Sequence, residues 1–218
     1  HSPDAKDADW NELYKSVVDE YGFDQVLVNG IHYEDGYWGK VGHPFLFEDQ
    51  LYKGTLIYRG REYKGVDLKY DIYKQQLILY INQNNSNAWI ILPNDFISAF
   101  SLGDKLFMKG TFQGAPRFYQ VVFDNEKLKC LYYWSKLRFD SDHLRNYNSF
   151  RFTNSDRKTY LIVDDVLKRY IDNRSFVRLF PRESQVQVKQ YIKNNRIKVA
   201  KSSDAEIEKL AAYCRTLL

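Results

Sequence analysis

The chain has 218 residues and a formal net charge of +4, with 44% hydrophobic and 17% aromatic residues. This hydrophobic content excludes an intrinsically disordered chain, and no apolar run approaches the length of about 20 residues that a membrane-spanning helix needs. The 18 tyrosines and 14 phenylalanines favour a β-rich fold, because aromatic side chains fit the pleated surface of a sheet.

An amphipathic helix is predicted near the start of the chain. Asp9 and Glu12 match a capping box, and apolar residues recur at helical spacing from Trp10 to Tyr21, before Gly22. Because the chain begins at His1 rather than at a methionine, we expect that a leading segment such as a signal peptide has been removed; an expression boundary would give the same start.

The middle of the chain predicts many short strands. Asn29-Gly30 predicts a turn between short strands at 26–28 and 31–33. One longer strand alternates apolar and polar residues, which is the period of a strand with one buried face. Its apolar set is Val66, Leu68, Tyr70 and Ile72, and its polar set is Asp67, Lys69, Asp71 and Tyr73. Strands are predicted at 52–58, 62–73, 76–81, 88–92, 105–112, 117–123, 127–135, 150–152, 160–163 and 166–171.

These strands are expected to pair antiparallel, because no helix long enough for a parallel crossover separates them. Turns are predicted at Arg59-Gly60, at Lys74-Gln75 and in the Asn-rich loop 82–87, and a polar loop is predicted from Lys136 to Asn148. The predicted fold is therefore an α+β domain, in which an antiparallel β-meander forms a partial or closed barrel.

Three helices are predicted to close the chain as a C-terminal helical cap. They cover 173–180, 181–194 with Pro181 in the first turn, and a final helix that opens with the capping box of Ser203 and Glu206. We expect residues 1–150 to form the N-terminal helix and the meander, and residues 151–218 to form a β-hairpin and a three-helix cap packed on the same domain.

Two cysteines, Cys130 and Cys214, are both predicted on apolar faces, one on a strand and one on the last helix. Two small buried hydrophobic residues are the simpler interpretation. A single disulfide that ties the helix to the sheet is the alternative.

Charge is unevenly distributed, since residues 1–57 are net −7 and residues 151–218 are net +7. The basic end includes Lys189, Lys193, Arg196, Lys198 and Lys201. We interpret these as solvated helix faces and turns, and nucleic-acid binding is not expected. Polyanion binding by the basic helices is an alternative, and its affinity would fall steeply with salt.

No catalytic residue, metal ligand or cofactor is predicted. The four histidines, His1, His32, His43 and His143, lack metal-site spacing, although His32 and His43 could meet near Glu34, Asp35 or Glu48. Acidic pairs occur at Glu34-Asp35, Glu48-Asp49 and Asp164-Asp165, the last of which is predicted as a hairpin tip. A glycosidase would need two carboxylates about 5–9.5 Å apart across a cleft, and the sequence cannot show that separation.

Aromatic residues of the meander offer two interpretations. Their rings could form a ligand or carbohydrate platform, but cross-strand packing in the core is the favoured interpretation. The set is Tyr58, Tyr63, Tyr70, Tyr73, Tyr80 and Trp89. Within it, Tyr70 is interpreted as core, and its neighbour Asp71 as a solvent-face or turn-binding residue.

The succession NGIHY, GHPFLFED, YRGREYKGVDLKYDIY and WIILPNDFISAF, with YLIVDDVLKRYI, SFVRLFP and VKQYIKNNRI near the end, resembles a group of uncharacterised exported proteins of Bacteroidetes. The resemblance spans most of residues 26–218. It implies a signal peptide, a periplasmic or cell-surface location and a β-rich body, and no established activity.

The sequence therefore predicts a non-catalytic cell-envelope protein that binds a small hydrophobic or glycan ligand, or another envelope protein; its binding residues are unknown at this stage. A cavity inside the sheet would favour a ligand, and inward rings that fill it would favour a protein partner. The alternative is a hydrolase acting on glycans, which would show as convergent acids or histidines with shifted pKa values in a cleft.

Overall fold

The computed structural model describes residue 27 and residues 31–34, 40–83, 86–112, 114–140 and 150–218. Its strands are β1 (Ile31–His32), β2 (Lys40–Val41), β3 (Tyr52–Tyr58), β4 (Arg61–Asp71), β5 (Gln76–Gln83), β6 (Ser86–Leu92), β7 (Ile97–Leu102), β8 (Lys105–Gly110), β9 (Arg117–Asp124), β10 (Leu128–Ser135), β11 (Arg138–Asp140), β12 (Phe150–Phe152), β13 (Asp156–Val163) and β14 (Val166–Tyr170). Its helices are α1 (Asn173–Val177), α2 (Arg182–Asn194) and α3 (Asp204–Arg215). The predicted N-terminal helix lies outside the described residues.

Eleven strands form one antiparallel sheet in the order β1-β6-β5-β4-β3-β7-β8-β9-β10-β13-β14. Most neighbours are joined by tight hairpins, as predicted. Three pairs of neighbours are not hairpins: β1 with β6, β10 with β13, and β3 with β7, for which the chain returns across the sheet after β6. Within the described residues β1 and β14 are the two free edges, so the sheet is open and the closed-barrel alternative is not supported.

The apolar residues that alternate along β4 form its buried face, as predicted. Val66, Leu68 and Tyr70 are buried, and Ile72 just beyond the strand is fully buried as well. Tyr70 lies among inward aromatic rings, with ring centroids 5.2 Å from Phe100 and 5.8 Å from Phe107 in edge-on geometry. Inward rings thus pack against one another along this part of the sheet, and the interpretation of Tyr70 as core is confirmed.

Two local predictions are wrong, the strand at 26–28 and the polar loop that was to begin at Lys136. Leu27, which was expected in a strand, is helical and fully buried, and β1 pairs with β6 rather than with a strand at 26–28. The polar loop predicted after Lys136 begins with a strand, β11, which pairs with β12. β12 also pairs with β2 in parallel, which gives a separate three-stranded sheet.

The helical cap shares one core with the last strands of the large sheet. Side chains from the strands and the helices form a single buried cluster, which includes Cys130, Leu161, Phe176, Val188, Ile192, Ile207, Leu210 and Cys214. The predicted capping box is confirmed, because the side chains of Ser203 and Glu206 each accept a hydrogen bond from the other's backbone N–H. The cap therefore covers the inner face of the sheet at its β14 end.

Both cysteines are buried and unpaired. Cys130 lies on β10 and Cys214 on α3, each with no exposed surface. Burial raises the pKa of the Cys214 thiol to about 12. The interpretation as two small buried hydrophobic residues is therefore confirmed, and the disulfide alternative is wrong for this structure.

Candidate functional site

A groove of a size suited to a ligand lies between α1 and α2, with a volume of about 770 Å³. We call it the α1–α2 groove. Its apolar residues are Val177 from α1, Val186 and Ile192 from α2, and Ile197 from the segment that follows α2. Ile192 and Ile197 are largely buried, whereas Val186 is 73% exposed at the mouth.

Local structure fixes the two walls of this groove. Asp172 and Ser175 form a capping box that starts α1, and Phe176 anchors α1 in the core against Tyr170, with ring centroids 5.0 Å apart. Asn173 ties the start of α1 to the segment after α2, because its Nδ2 donates to the Ile197 carbonyl at 2.8 Å and its Oδ1 accepts from the Val199 N–H at 2.9 Å. The groove is thus a preformed surface.

Positive charge surrounds the apolar floor. Among the described residues that line the groove, six are cations and none is acidic: Arg174, Arg178, Lys189, Lys193, Arg196 and Lys198. Arg174 and Arg178 are one turn apart on one wall, and Lys189 and Lys193 are one turn apart on the other. Clustered positive charge attracts anions, so this lining favours an anionic ligand over a neutral or cationic one.

Only part of this arrangement was predictable from the sequence. Lys189, Lys193, Arg196 and Lys198 lie on exposed helix and turn positions, as predicted, and all four line the groove. Lys201 is exposed but does not line it. Sequence reasoning missed the second pair of cations, on α1, because only tertiary packing brings that helix against α2; their i, i+4 spacing was the available signal.

Of the four histidines, His32 and His43 are described, and neither belongs to a group of residues placed to hold a metal ion. His32 is exposed on β1, whereas His43 packs on Phe45, with ring centroids 6.0 Å apart, and its carbonyl accepts a hydrogen bond from Lys136 Nζ at 2.8 Å. No group of three or more histidine, cysteine, aspartate or glutamate side chains in the described ranges is placed to hold a metal ion. His1, Asp35 and His143 lie outside the described residues.

Two of the acidic pairs, Glu48-Asp49 and Asp164-Asp165, lie in bends and turns. Glu48 and Asp49 precede β3 and are exposed, and Asp49 accepts a hydrogen bond from Lys69. Asp164 and Asp165 form the turn between β13 and β14 with φ of 51° and 58°, which confirms the predicted hairpin tip. The latter pair edges a polar cleft of about 380 Å³ together with two glutamates, Glu126 and Glu183. This cleft has less volume than the α1–α2 groove and carries mixed charge.

Three of the six aromatic residues are core and two more pair across strands, as the favoured interpretation predicted. Tyr58, Tyr63 and Tyr70 are buried inside the sheet. Tyr80 and Trp89 differ, because they pair across β5 and β6 on the outer face with ring centroids 4.7 Å apart and are only half buried. Tyr73 packs edge-on against Phe152 of the small sheet at 5.5 Å.

Asp71 is a buried turn-binding residue, which confirms one of its two interpretations and excludes the solvent-face one. Its Oδ1 accepts hydrogen bonds from the backbone N–H groups of Tyr73 at 2.9 Å and Lys74 at 2.7 Å, and these bonds shape the turn between β4 and β5. Its Oδ2 is buried with no hydrogen-bond partner among the described residues. Burial raises the pKa of the Asp71 carboxyl, although the two N–H donors oppose that change.

We expect the Asp71→Asn variant to change the pH dependence of stability. Because the native-state pKa is raised, this carboxyl stabilises the fold most below its unfolded-state pKa near 3.8, and the contribution is lost as pH rises through the native-state pKa. Asn keeps an acceptor for the two N–H groups and does not titrate. The free energy of unfolding of the wild type relative to the variant should therefore fall with increasing pH and then level off.

Urea denaturation at a series of pH values from about 3 to 7 measures this difference. Asp95→Asn is the matched control, because it removes the same charge from an exposed position. If the free energy of unfolding of the wild type minus that of Asp71→Asn rises with pH, the native-state pKa of Asp71 is not raised and the prediction is wrong.

Comparisons of the chain with protein-family models, with curated proteins and with solved structures find no match. In the described part of the chain, no helix combines the length and apolar character needed to cross a bilayer.

Proposed function

We propose that this protein binds a small anionic amphiphile in the α1–α2 groove and performs no chemistry on it. The observation that carries the proposal is the combination, in one groove, of an apolar floor with six cations and no acid among the described lining residues. An aliphatic chain would lie on Val177, Ile192 and Ile197, and an anionic head group would meet the arginines and lysines of the two walls.

The dimensions favour a small molecule over a protein partner. A volume of about 770 Å³ lies within the range of roughly 300–1,000 Å³ typical of small-molecule sites. A stable protein interface would bury about 800 Å² on each partner and would have to reach well beyond α1 and α2. The inward rings of the sheet pack around Tyr70, so we assign the ligand to this outer groove rather than to the interior of the sheet.

We also propose a cell-envelope location, periplasmic or at the cell surface, in line with the resemblance to exported proteins of Bacteroidetes. A non-catalytic carrier or sensor fits the groove better than a hydrolase does. None of the described groove residues is acidic or a histidine, the usual groups for general acid–base chemistry.

A dansyl-labelled undecanoate, whose emission rises in an apolar site, tests the proposal. We expect its emission to rise on addition of the protein and dodecanoate to displace it, whereas dodecanol, which has the same chain without the carboxylate, should compete at least about tenfold less well. Equal competition by the acid and the alcohol, or no rise in emission, would contradict the proposal. Displacement by an acidic amphipathic peptide but not by dodecanoate would instead indicate a protein partner.

A further inference from the structure

Another concave site lies on the outer face of β4–β6, at a different place in the sheet from the helical cap. We call it the aromatic pocket. It has a volume of about 260 Å³ and is lined by Tyr33, Phe45, Asp49, Lys69 and Trp89. Three aromatic rings and one ion pair therefore surround a space of the size of a single small ring.

Backbone pairing holds the rings of the aromatic pocket in place. The Tyr33 N–H donates to the Trp89 carbonyl at 2.8 Å, and this bond joins the end of β1 to β6. Phe45 forms a β-bridge with Asp71, and the next residue, Leu46, donates its N–H to the Tyr70 carbonyl at 2.9 Å. The walls of the pocket are thus preorganised, which lowers the entropic cost of binding a ligand.

Lys69 is the unusual member of the pocket. Its side chain is only 12% exposed, and its Nζ lies 4.5 Å from the ring centroid of Phe45 and 5.1 Å from that of Trp89. It donates to Asp49 Oδ1 at 2.5 Å. An ammonium group has three N–H donors, and Asp49 is the one acceptor that the described contacts give it. Lys69 Nζ therefore has N–H donors left to offer to a ligand in the pocket.

We propose that the aromatic pocket binds one ring of a neutral sugar. The C–H face of a pyranose carries partial positive charge and stacks on the negative face of an aromatic ring such as Trp89. A hydroxyl group both donates and accepts, so adjacent hydroxyls can donate to Asp49 and accept from Lys69 at the same time. No other group in the described lining carries a formal charge, and the ion pair is neutral as a whole, which favours a neutral sugar over a uronate.

This site is independent of the α1–α2 groove, because the two share no lining residue. Either proposal can therefore fail without the other. Saturation-transfer NMR with methyl α-glucopyranoside, methyl β-galactopyranoside, methyl α-mannopyranoside and N-acetylglucosamine tests for the sugar. We expect at least one of these four probes to receive saturation at its ring protons.

Variants assign that signal to the aromatic pocket. We expect Trp89→Ala and Lys69→Met each to weaken binding of the responding sugar about tenfold, while dansyl-undecanoate binding stays unchanged. Asp49→Ala is the second test if either variant fails to fold, because Asp49 is exposed in an irregular segment. A sugar signal that survives all folded variants, or no signal from any of the four probes, would overturn the proposal. Loss of sugar binding in the Lys189→Glu variant would show that the sugar binds in the α1–α2 groove, and this result would also overturn the proposal.

Discussion

Reversing two charges on α2, with Lys189→Glu and Lys193→Glu together, is expected to weaken binding of dansyl-undecanoate about hundredfold. Each lysine offers a charge-assisted hydrogen bond to the head group, and each such bond contributes about 1.5–3 kcal/mol. Two lost bonds therefore correspond to a loss of a hundredfold or more. Fluorescence titration of the folded double variant measures the change, with circular dichroism to verify the fold.

The matched control is Lys201→Glu with Lys209→Glu. Both residues are exposed and neither lines the groove, so the control changes the net charge of the protein by the same amount. We expect it to weaken binding less than about threefold at physiological salt, where distant exposed charges are screened. Equal loss in the two double variants would show that the net charge, and not the groove, attracts the ligand.

The Gly54→Ala variant is expected to lose about 3 kcal/mol of folding free energy, which would lower the melting temperature by roughly 6–12 °C. A Cβ at this position would lie 1.9 Å from the Ser101 carbonyl oxygen and 2.8 Å from its carbonyl carbon. Gly54 lies on β3, at the place where its register against β4 shifts, and β3 also pairs with β7. Two paired backbones would have to move apart to admit a methyl group.

Gly110→Ala is the matched control for this effect. Its added Cβ would also be too close to a neighbour, at 2.3 Å, but that neighbour is the ring edge of Phe112, which is 39% exposed and can rotate away. We expect a loss below about 1 kcal/mol in thermal and urea denaturation. Equal destabilisation by the two substitutions would contradict this prediction. It would mean that the clash with the β7 backbone costs no more free energy than the clash with the Phe112 ring.

Local patterns predicted most strands because their side chains alternate within the strand itself. The prediction at 52–58 has the bounds of β3, and the alternation from Val66 to Ile72 identified the buried face of β4. β7 was missed, although Ile97, Phe100 and Leu102 are buried along it, because its buried residues do not alternate strictly. Its place beside β3 depends on a pairing across about 40 residues of sequence, which local patterns do not encode.

The candidate site was harder to predict than the fold, for a related reason. Four groove cations were visible as a basic run near the end of the chain, but a basic run alone is typical of a solvated helix face. The groove exists because Phe176 and Asn173 hold α1 against the α2 region. The aromatic pocket depends in the same way on strand pairing, since Trp89 and Lys69 come together only through β4, β5 and β6.

The core shared by the cap and the sheet links the groove to the stability of the whole domain. Val188 and Ile192 of α2 are buried in the same cluster as Leu161 of β13, so α2 cannot detach without exposing the interior of the strands. Amide hydrogens in β10 and β13 should therefore exchange with solvent through the same opening event as those of α2. Occupancy of the groove would then slow exchange deep in the sheet, at positions that no ligand atom touches.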